Sequence, residues 1–389
     1  DRVLLVTSVS DLNCGGGNHV FNLATGLSQR GCDVHVVSLE DGSLLAELRG
    51  AGMPTHLCSI RRKFDVQSWM GLRRLLKTEC PIVVHSHGER GTFLASWAAR
   101  TVGTPVIIAT VHRSVPQTRS WSWLSRQLYT LIENWTLRMA TTGVIAVSES
   151  LRSDLIRRRA HVPDNTVAIP NGIQMLEPSR IADLRQESKV LRHQLGLTDD
   201  AYVIGAVGRV AREKGLQYVI QAMATILKDV PHARLVIVGD GPYRKVLAAR
   251  VEAMHLETRV RFVGHQADVN PWLALFDLFV LPTPWEAFGI ALIEAMRFSI
   301  PVIATDCAGP AEIIQHQRSG ILVPPGDSVS LARAIVDLSQ DPERAQRIGI
   351  SGSQKVWRCY TMDKMVDATI AFYSEQRARC RVSPARSST

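Results

Sequence analysis

Short runs of aliphatic and β-branched residues alternate along the first part of the chain with longer segments whose apolar residues recur at helical spacing. Continuous apolar runs of about four to eight residues are typical of strands that are buried on both faces of a parallel sheet. The predicted strands are Val3–Thr7, Val34–Ser38, Ile82–His85, Val106–Thr110, Val144–Val147 and Val167–Ile169. Helices are predicted over Val20–Arg30 and Ser43–Ala51. This alternation predicts an α/β domain with a doubly wound parallel sheet.

The alternation stops near Pro170 and resumes after Thr198. Two prolines, several charges and the lack of a strand-like run between these residues predict an interdomain linker. Later strands are predicted at Val203–Val207, Arg234–Val238, Val260–Val263, Leu278–Leu281, Val302–Ala304 and Ile321–Val323, with helices at Leu216–Leu227 and Tyr243–Met254. A second doubly wound domain accounts for this pattern.

The chain is therefore expected to form two Rossmann-like, doubly wound α/β domains. The N-terminal domain spans residues 1–169, the linker 170–198 and the C-terminal domain 199–356. A helix over residues 357–383 is expected to cross back to the N-terminal domain, and residues 384–389 are expected to form a disordered tail. With 389 residues, the chain is long enough for two hydrophobic cores.

Composition narrows the class of protein. A hydrophobic content of 46% and a charged content of 21% match a soluble globular protein and exclude a disordered or fibrous one. The longest apolar runs, such as Pro105–Val111 and Ile300–Ala304, are much shorter than the roughly 18 residues of a membrane-spanning helix. No signal-peptide pattern precedes the first strand and no two cysteines form a CxxC pair, so we expect reduced thiols and a cytoplasmic location.

Positive charge is concentrated in the first half of the chain. Residues 50–165 contain sixteen Lys and Arg against seven Asp and Glu, a difference that equals the whole net charge of +9. A basic surface fits an anionic lipid surface, a phosphorylated acceptor or nucleic acid, and charge alone does not decide among them.

A glycine-rich turn, Asn13-Cys14-Gly15-Gly16-Gly17-Asn18, follows the first predicted strand and opens a helix. Glycines let the backbone approach a ligand closely, and the N-terminus of a helix attracts an anion. We expect Gly16 and Gly17 to contact a diphosphate. The spacing differs from GxGxxG, so a flexible turn is an equal alternative.

The turn after the first strand of the second domain carries cations in Gly208-Arg209-Val210-Ala211-Arg212-Glu213-Lys214-Gly215. Ligands of open parallel sheets bind at the carboxyl ends of the strands, so Arg209 and Lys214 are expected to face the ligand. Two fixed cations can neutralise a diphosphate as it leaves. The alternative is a pair of solvated surface side chains.

Four further segments place these motifs in a common context. They are Asn171-Gly172-Ile173, Val238-Gly239-Asp240-Gly241-Pro242, Glu286–Glu294 and Ala308-Gly309-Pro310-Ala311-Glu312. In this order and at these separations the motifs resemble the retaining glycosyltransferases of family 4, over nearly the whole chain. The resemblance implies the GT-B fold, in which two facing Rossmann-like domains hold the donor mainly on the second domain and the acceptor on the first.

The resemblance also implies roles for single residues. Arg209 and Lys214 would bind the donor diphosphate. Glu286 and Glu294, the two glutamates of an E-x7-E motif, would bind hydroxyls of the transferred sugar and of the ribose.

Backbone groups complete the expected donor site. The amides of Phe288, Gly289 and Ile290 would contact phosphate and sugar, and groups around Val263 and Gly264 would contact the base. The segment Cys307–Pro310 replaces a double glycine of the family, which leaves phosphate contacts from that loop open.

Histidines follow the predicted strands of the first domain. His112 matches a histidine that the family places beside the donor sugar, and a structural histidine at a strand end is the alternative. His85 and His87 have the HxH spacing of a metal-ligand pair, yet no cysteine or carboxylate cluster supports them, so ordinary strand-end histidines are favoured.

The expected chemistry needs neither a metal nor another cofactor. The chain lacks the Asp-x-Asp motif with which many glycosyltransferases of another fold bind a divalent ion. Cationic side chains and helix ends can stabilise the leaving diphosphate instead. The resemblance implies retention, with the acceptor attacking the face that the diphosphate leaves, and His112, Arg209, Lys214 and Glu286 as the catalytic set.

A basic and aromatic segment is expected to form the acceptor or membrane surface. It includes Arg113, Arg119, Trp121, Trp123 and Arg126. Such a mixture suits an anionic lipid headgroup layer, whereas an amphipathic helix packed on the sheet is the alternative. Stacked aromatic residues can also bind single strands, but that reading leaves the second-domain motifs unused, so no nucleic acid partner is expected.

These observations predict a retaining hexosyltransferase that uses a UDP- or GDP-sugar. Its acceptor is expected to be a lipid-linked saccharide of envelope polysaccharide, lipopolysaccharide or exopolysaccharide synthesis, at the inner face of the plasma membrane. The alternatives are a soluble-acceptor transferase or sugar-nucleotide epimerase of the same fold, and a non-catalytic protein that binds nucleotide sugars.

Overall fold

A computed structural model describes residues 1–12, 14–59, 66–113, 123–161 and 163–382 of the chain. These residues divide into two compact units. The first unit comprises Asp1–Gly172 and the chain from Met362 onward, and the second comprises Ile173–Thr361. No helix in the described ranges is both long and apolar enough to cross a membrane.

A parallel sheet forms the centre of the first unit. Its strands are β1 Arg2–Thr7, β2 Asp33–Ser38, β3 Thr55–Leu57, β4 Val83–His87, β5 Val106–Val111, β6 Gly143–Ala146 and β7 Thr166–Ala168. They lie in the order β3-β2-β1-β4-β5-β6-β7. The helices of this part of the chain are α1 Gly15–Gln29, α2 Ser43–Gly50, α3 Val66–Glu79, α4 Glu89–Val102, α5 Trp123–Ala140 and α6 Glu149–Arg157.

Helices cover both faces of this sheet, and the first strand shows why the strands read as continuous apolar runs. Val3 and Leu5 pack in one core with Leu23 of α1. Leu4 and Val6 point to the other face and pack in a second core, which includes Leu72 of α3 and Leu94 of α4. A strand that is buried on both faces has no solvent-exposed side, so polar residues do not alternate with apolar ones along it.

The second unit repeats this architecture. Its strands are β8 Tyr202–Val207, β9 Ala233–Val238, β10 Val260–Gly264, β11 Leu278–Leu281, β12 Val302–Thr305 and β13 Ile321–Val323, in the order β10-β9-β8-β11-β12-β13. Its helices are α7 Pro178–Gln194, α8 Leu216–Asp229, α9 Arg244–Ala253, α10 Asn270–Leu275, α11 Ile290–Arg297, α12 Ala308–Ile313, α13 Ser328–Gln340 and α14 Pro342–Cys359. The strands of this sheet also pair in parallel.

Both sheets have the strand order of a Rossmann-like domain. The order reverses between β1 and β4 in the first unit and between β8 and β11 in the second. The predicted fold class of two doubly wound α/β domains is therefore confirmed. At such a reversal the loops after the two neighbouring strands leave a crevice, which is where ligands of these sheets bind.

The segment predicted as a linker, residues 170–198, is largely helical. Within it, α7 begins at Pro178, in the first helical turn where a missing N–H costs no hydrogen bond. This helix packs against α10 within the second unit. The sequence pattern does not reveal this helix. Among its described residues only Leu184 and Ser188 are buried, so the apolar stripe of α7 is too narrow to be recognised.

The C-terminal helix belongs to the first unit. Residues 357–359, predicted as the start of a crossing helix, end α14, and α15 Met362–Val382 follows and packs against α1. Arg30, directly after α1, forms ion pairs with Asp363 at 2.9 Å and Asp367 at 2.5 Å. The predicted disordered tail, residues 384–389, lies outside the described residues.

We predict that the first unit depends on α15 for its stability. Phe372 of α15 is 3% exposed and packs in the core beneath the sheet, where a Cβ on Gly143 would lie 2.7 Å from its ring. Phe372→Ala should lower the free energy of unfolding of this unit by roughly 3 to 5 kcal/mol, measured in urea by circular dichroism. The exposed Ser374→Ala on the same helix should change it by at most about 0.5 kcal/mol. Equal effects of the two substitutions would contradict the prediction.

Candidate active site

An ion pair joins the two loops at the strand-order reversal of the second sheet. Lys214 lies in the loop after β8 and Glu286 in the loop after β11, and Lys214 Nζ is 2.5 Å from Glu286 Oε2. The two side chains are 32% and 20% exposed, so a ligand can reach them. Because β8 and β11 are neighbours, a sequence separation of 72 residues becomes a direct contact.

Buried threonines fix the two loops to each other. The Thr283 hydroxyl lies 3.0 Å from the carbonyl oxygen of Glu213 and 2.9 Å from that of Trp285. Thr305, at the end of β12, donates its hydroxyl to the carbonyl oxygen of Thr283. The backbone around Lys214 is thereby attached to the backbone that carries Glu286. Thr283 could not be predicted from the sequence, because no spacing rule marks a threonine whose hydroxyl donates a hydrogen bond to a carbonyl oxygen that is distant in sequence.

The first turn of α12, the helix after β12, also holds the backbone of Glu286 in place. Gly309 donates its N–H to the carbonyl oxygen of Glu286 at 2.9 Å. A Cβ on Gly309 would lie only 2.3 Å from Phe288 Cα, so a glycine is required where the two backbones meet. The Phe288 ring is buried and meets the Tyr360 ring edge to face at 5.6 Å. The departure from the family's double glycine therefore leaves this close approach in place.

Glu294 lies on α11, the helix that follows the loop of Glu286. Gly289 precedes α11, Ile290 begins this helix, and Glu294 follows one turn later. Surrounding protein atoms raise the pKa of the Glu294 carboxyl, and the nearby Arg297 guanidinium opposes that effect. Arg297 is itself buried, and its Nη1 donates to the carbonyl oxygen of Gln174 at 2.7 Å.

Two parts of the predicted donor site make other contacts than the ion pair. Arg209 is 61% exposed and pairs with Glu213 of its own loop, four residues along the chain. Val263 and Gly264 end β10, the edge strand, and Gly264 accepts the N–H of Gly239 at 2.8 Å. The structure thus brings Lys214 and Glu286 together but does not join Arg209 to them.

The glycine-rich turn of the first unit has a structural reason for one of its glycines. Cys14 precedes α1, and its Sγ accepts the N–H of Gly17. A Cβ on Gly17 would lie 2.0 Å from the Asp11 carbonyl oxygen, whereas one on Gly16 would meet its nearest atom, Val9 Cγ2, at 3.4 Å. Packing of the turn therefore excludes a side chain at Gly17, whereas a Cβ at Gly16 would make only ordinary van der Waals contact. Asn13 lies outside the described residues.

Three histidines converge at the strand-order reversal of the first sheet. His87 ends β4, His112 follows β5, and His19 lies in the first turns of α1. His87 Nδ1 is 3.4 Å from His112 Nε2. The His19 ring centre lies 4.7 Å from that of His112 and 5.2 Å from that of His87.

The sequence identified only His112 as a candidate in this cluster. The sequence predicts an ordinary strand-end histidine at His87 and carries no motif that marks His19. The signal that could have identified His19 and His87 is their position along the chain. The carboxyl ends of adjacent parallel strands and the start of the helix after β1 meet at the same end of a doubly wound sheet.

Burial keeps these histidines neutral. It lowers the pKa of His19 to about 4 and the pKa values of His87 and His112 well below the usual range, with neighbouring histidines adding to the shift of the latter two. His85, the other half of the HxH pair, has a structural role. Its Nδ1 lies 2.5 Å from the Tyr373 hydroxyl and its Nε2 2.6 Å from the Thr110 hydroxyl.

The predicted membrane surface is only partly described. Arg113 is exposed and pairs with Glu89 at the start of α4. Arg119 and Trp121, and the side chains of Trp123 and Arg126, lie outside the described residues. On α5 a stripe of exposed apolar side chains, 46% to 69% exposed, follows one face of the helix: Leu124, Leu128, Leu131, Trp135 and Met139.

Comparison with known proteins places this geometry in a family. The sequence profile described as Glycosyl transferases group 1 matches residues 187–355, and the profile described as Glycosyltransferase Family 4 matches residues 14–175. The alpha-D-kanosaminyltransferase of Streptomyces kanamyceticus is 28% identical to this chain, over 78% of this chain and 80% of its own length. The UDP-Gal:alpha-D-GlcNAc-diphosphoundecaprenol alpha-1,3-galactosyltransferase of Escherichia coli is 27% identical, over 79% and 80% respectively.

Solved structures share the fold. HepE of Anabaena in complex with UDP-glucose superposes with a TM-score of 0.83 at 20% identity, over 96% of this chain and 99% of that chain. At this identity the likeness shows the fold alone. The two matched profiles together span most of both units, and the chain therefore belongs to the group 1, family 4 glycosyltransferases.

Proposed function

We propose that this protein is a metal-independent, retaining glycosyltransferase that transfers a hexose from a UDP- or GDP-sugar to a lipid-linked saccharide in envelope polysaccharide, lipopolysaccharide or exopolysaccharide synthesis. Relatives of known name support the reaction class, and HepE carries UDP-glucose in its structure. The proposal for this chain depends chiefly on one observation, the contact between Lys214 and Glu286.

This contact joins the two kinds of group that a nucleotide sugar needs. The Lys214 ammonium neutralises charge on the leaving diphosphate, which grows as the glycosidic bond breaks. The Glu286 carboxylate offers two acceptor oxygens to vicinal sugar hydroxyls. Held 2.5 Å apart, they favour a ligand whose phosphate and sugar are adjacent, because each group finds its own partner within one bound molecule.

The remaining donor contacts are proposed around this pair. Glu294 accepts hydrogen bonds from the ribose, and the amides at the start of α11 contact phosphate and sugar. Arg209 approaches the diphosphate by leaving Glu213, which is feasible because exposed pairs of this kind contribute little stability. His112 contributes to the reaction as a neutral imidazole, in keeping with the lowering of its pKa by burial.

A lipid-linked acceptor is favoured by the surface of the first unit. The name of the Escherichia coli relative specifies a sugar linked to diphosphoundecaprenol. In this chain, α3, α4 and α5 pack side by side. They combine the apolar stripe of α5 with exposed Arg74, Lys77, Arg100 and Arg138. Apolar and basic side chains on one layer suit an anionic bilayer, where each basic residue contributes roughly 1 kcal/mol to binding.

We predict that the ion pair is required for turnover. Release of nucleoside diphosphate is measured with a panel of UDP- and GDP-sugars, with and without a lipid-linked saccharide. Lys214→Ala and Glu286→Gln should each lower kcat by about a hundredfold or more, because each removes a group that stabilises the transition state. The exposed Lys228→Ala in the same unit is the matched control and should retain full activity. Unchanged transfer by Lys214→Ala would refute the assigned role.

We predict that the reaction keeps the anomeric configuration of the donor and needs no divalent ion. The anomeric coupling constant in the proton NMR spectrum of the first product should match that of the donor sugar. Rates should be equal with EDTA and with added Mg²⁺, since protein cations take the place of a metal at the diphosphate. An inverted product, or loss of activity in EDTA that Mg²⁺ restores, would contradict these two expectations separately.

We predict that the α5 stripe binds anionic vesicles. The paired substitution Leu128→Glu and Leu131→Glu should weaken cosedimentation with phosphatidylglycerol vesicles by at least about tenfold, because it places two carboxylates in the interface. Val190→Glu changes an equally exposed apolar residue of α7 in the second unit and should leave cosedimentation unaffected. Equal binding by all variants would favour an acceptor that is free in solution.

A further inference from the structure

His19, His87 and His112 form a cluster that the proposed reaction uses only in part. Each of them offers a ring nitrogen, and these nitrogens lie within 4.8 Å of one another. His19 and His87 are buried, while His112 is partly exposed, so a small ion can reach the cluster from the His112 side. The three side chains come from α1, β4 and the end of β5, which the sheet holds in place.

The spacing of the ring nitrogens fits a transition metal. Zn²⁺ binds histidine nitrogen at about 2.05 Å, so two nitrogens of a tetrahedral site lie roughly 3.3 Å apart. His87 Nδ1 and His112 Nε2 are 3.4 Å apart. Each of the three rings offers one ligand nitrogen, and these nitrogens lie within 4.8 Å of one another, so the set as a whole is close to the size of such a site.

Unsatisfied nitrogens in this cluster point to a ligand. Neither ring nitrogen of His19 makes a hydrogen bond that meets the usual geometry within the described residues, and the Asn171 side chain lies close enough to the ring to favour its protonated form. Buried polar atoms without partners are rare, since each carries a desolvation cost. The rings are neutral, which is the form that binds a metal.

We propose that His19, His87 and His112 form a binding site for a divalent transition metal of the zinc type, and that an ion bound there inhibits sugar transfer. Three histidines with an open fourth position are a known zinc ligand set. Inhibition follows because the ion takes the His112 nitrogen away from the reaction. That second part rests on the proposed function, whereas binding of the ion does not.

A second cluster provides the matched control. His35, His56 and Glu79 also hold three ligand atoms within 4.8 Å in the described part of the chain. Here the Glu79 carboxylate is already paired with Arg2 at 2.9 Å, and a guanidinium competes with a cation. Among the described residues no Lys or Arg forms an ion pair with His19, His87 or His112, so this cluster should bind the ion more tightly. Neither cluster includes a cysteine.

Zn²⁺ binding to the full chain tests the proposal without any substrate. Isothermal titration of the metal-free protein should show one Zn²⁺ bound per chain. His19→Gln and His112→Gln should each weaken binding by at least about a hundredfold, and His56→Gln should leave binding and transfer unchanged. The visible spectrum of the Co²⁺ form should lack a thiolate charge-transfer band. Circular dichroism checks each variant, and the more exposed His112→Gln decides if His19→Gln fails to fold.

Three results would overturn the binding site. They are full binding by His112→Gln, loss of binding in His56→Gln alone, and a thiolate band with Co²⁺. Transfer assays then test inhibition, which should follow Zn²⁺ occupancy and be reversed by EDTA. Full activity of the zinc-loaded enzyme would remove the inhibitory role and keep the site. A chain that binds Zn²⁺ but transfers no sugar in its metal-free form would instead refute the proposed function.

Discussion

Reversal of the strand order is the constraint on which both candidate sites depend. In each sheet two neighbouring parallel strands, β1 and β4 or β8 and β11, end at one edge while the chain continues outward from them in opposite directions. The loops after these strands can meet without a helix between them. The second unit uses this edge for Lys214 and Glu286, and the first uses it for His87 and the neighbouring His19 and His112.

Much of the fold could be predicted because strands buried on both faces leave an unbroken apolar signature. The bounds predicted for Leu278–Leu281 and Ile321–Val323 match the strands to the residue, since each apolar run ends at a proline and begins after an aspartate or a glycine. The short edge strand Thr55–Leu57 was missed because its residues are only half buried. Helix α7 was missed because its few apolar residues do not form a clear stripe, so the segment resembles a linker until the helices packed against it are known.

For the candidate site, the sequence predicted which residues take part better than it predicted their contacts. Motif order identified Lys214 and Glu286 because each stands at a fixed distance after a recognisable strand, although the contact between them needs the sheet. The neighbouring sequence does not determine which groups surround a side chain in the fold. Arg209 and Lys214 look equivalent in sequence, yet one is mostly exposed beside Glu213 and the other reaches Glu286. His87 and His19, 68 positions apart, become neighbours only through the pairing of β1 with β4.

The two candidate sites, each at the strand-order reversal of one sheet, differ in charge, which suits them to different ligand groups. The edge of the second sheet carries a fixed ammonium beside a carboxylate, a combination suited to the anionic phosphates and the hydroxyls of a donor. The His19 cluster at the first edge is kept neutral by burial. A neutral imidazole can donate and accept hydrogen bonds without repelling or attracting charge, which suits sugar hydroxyls. Neutral imidazole nitrogens are also the form that a transition metal binds, so the proposed contact with sugar hydroxyls and the proposed metal site would depend on the same neutral rings.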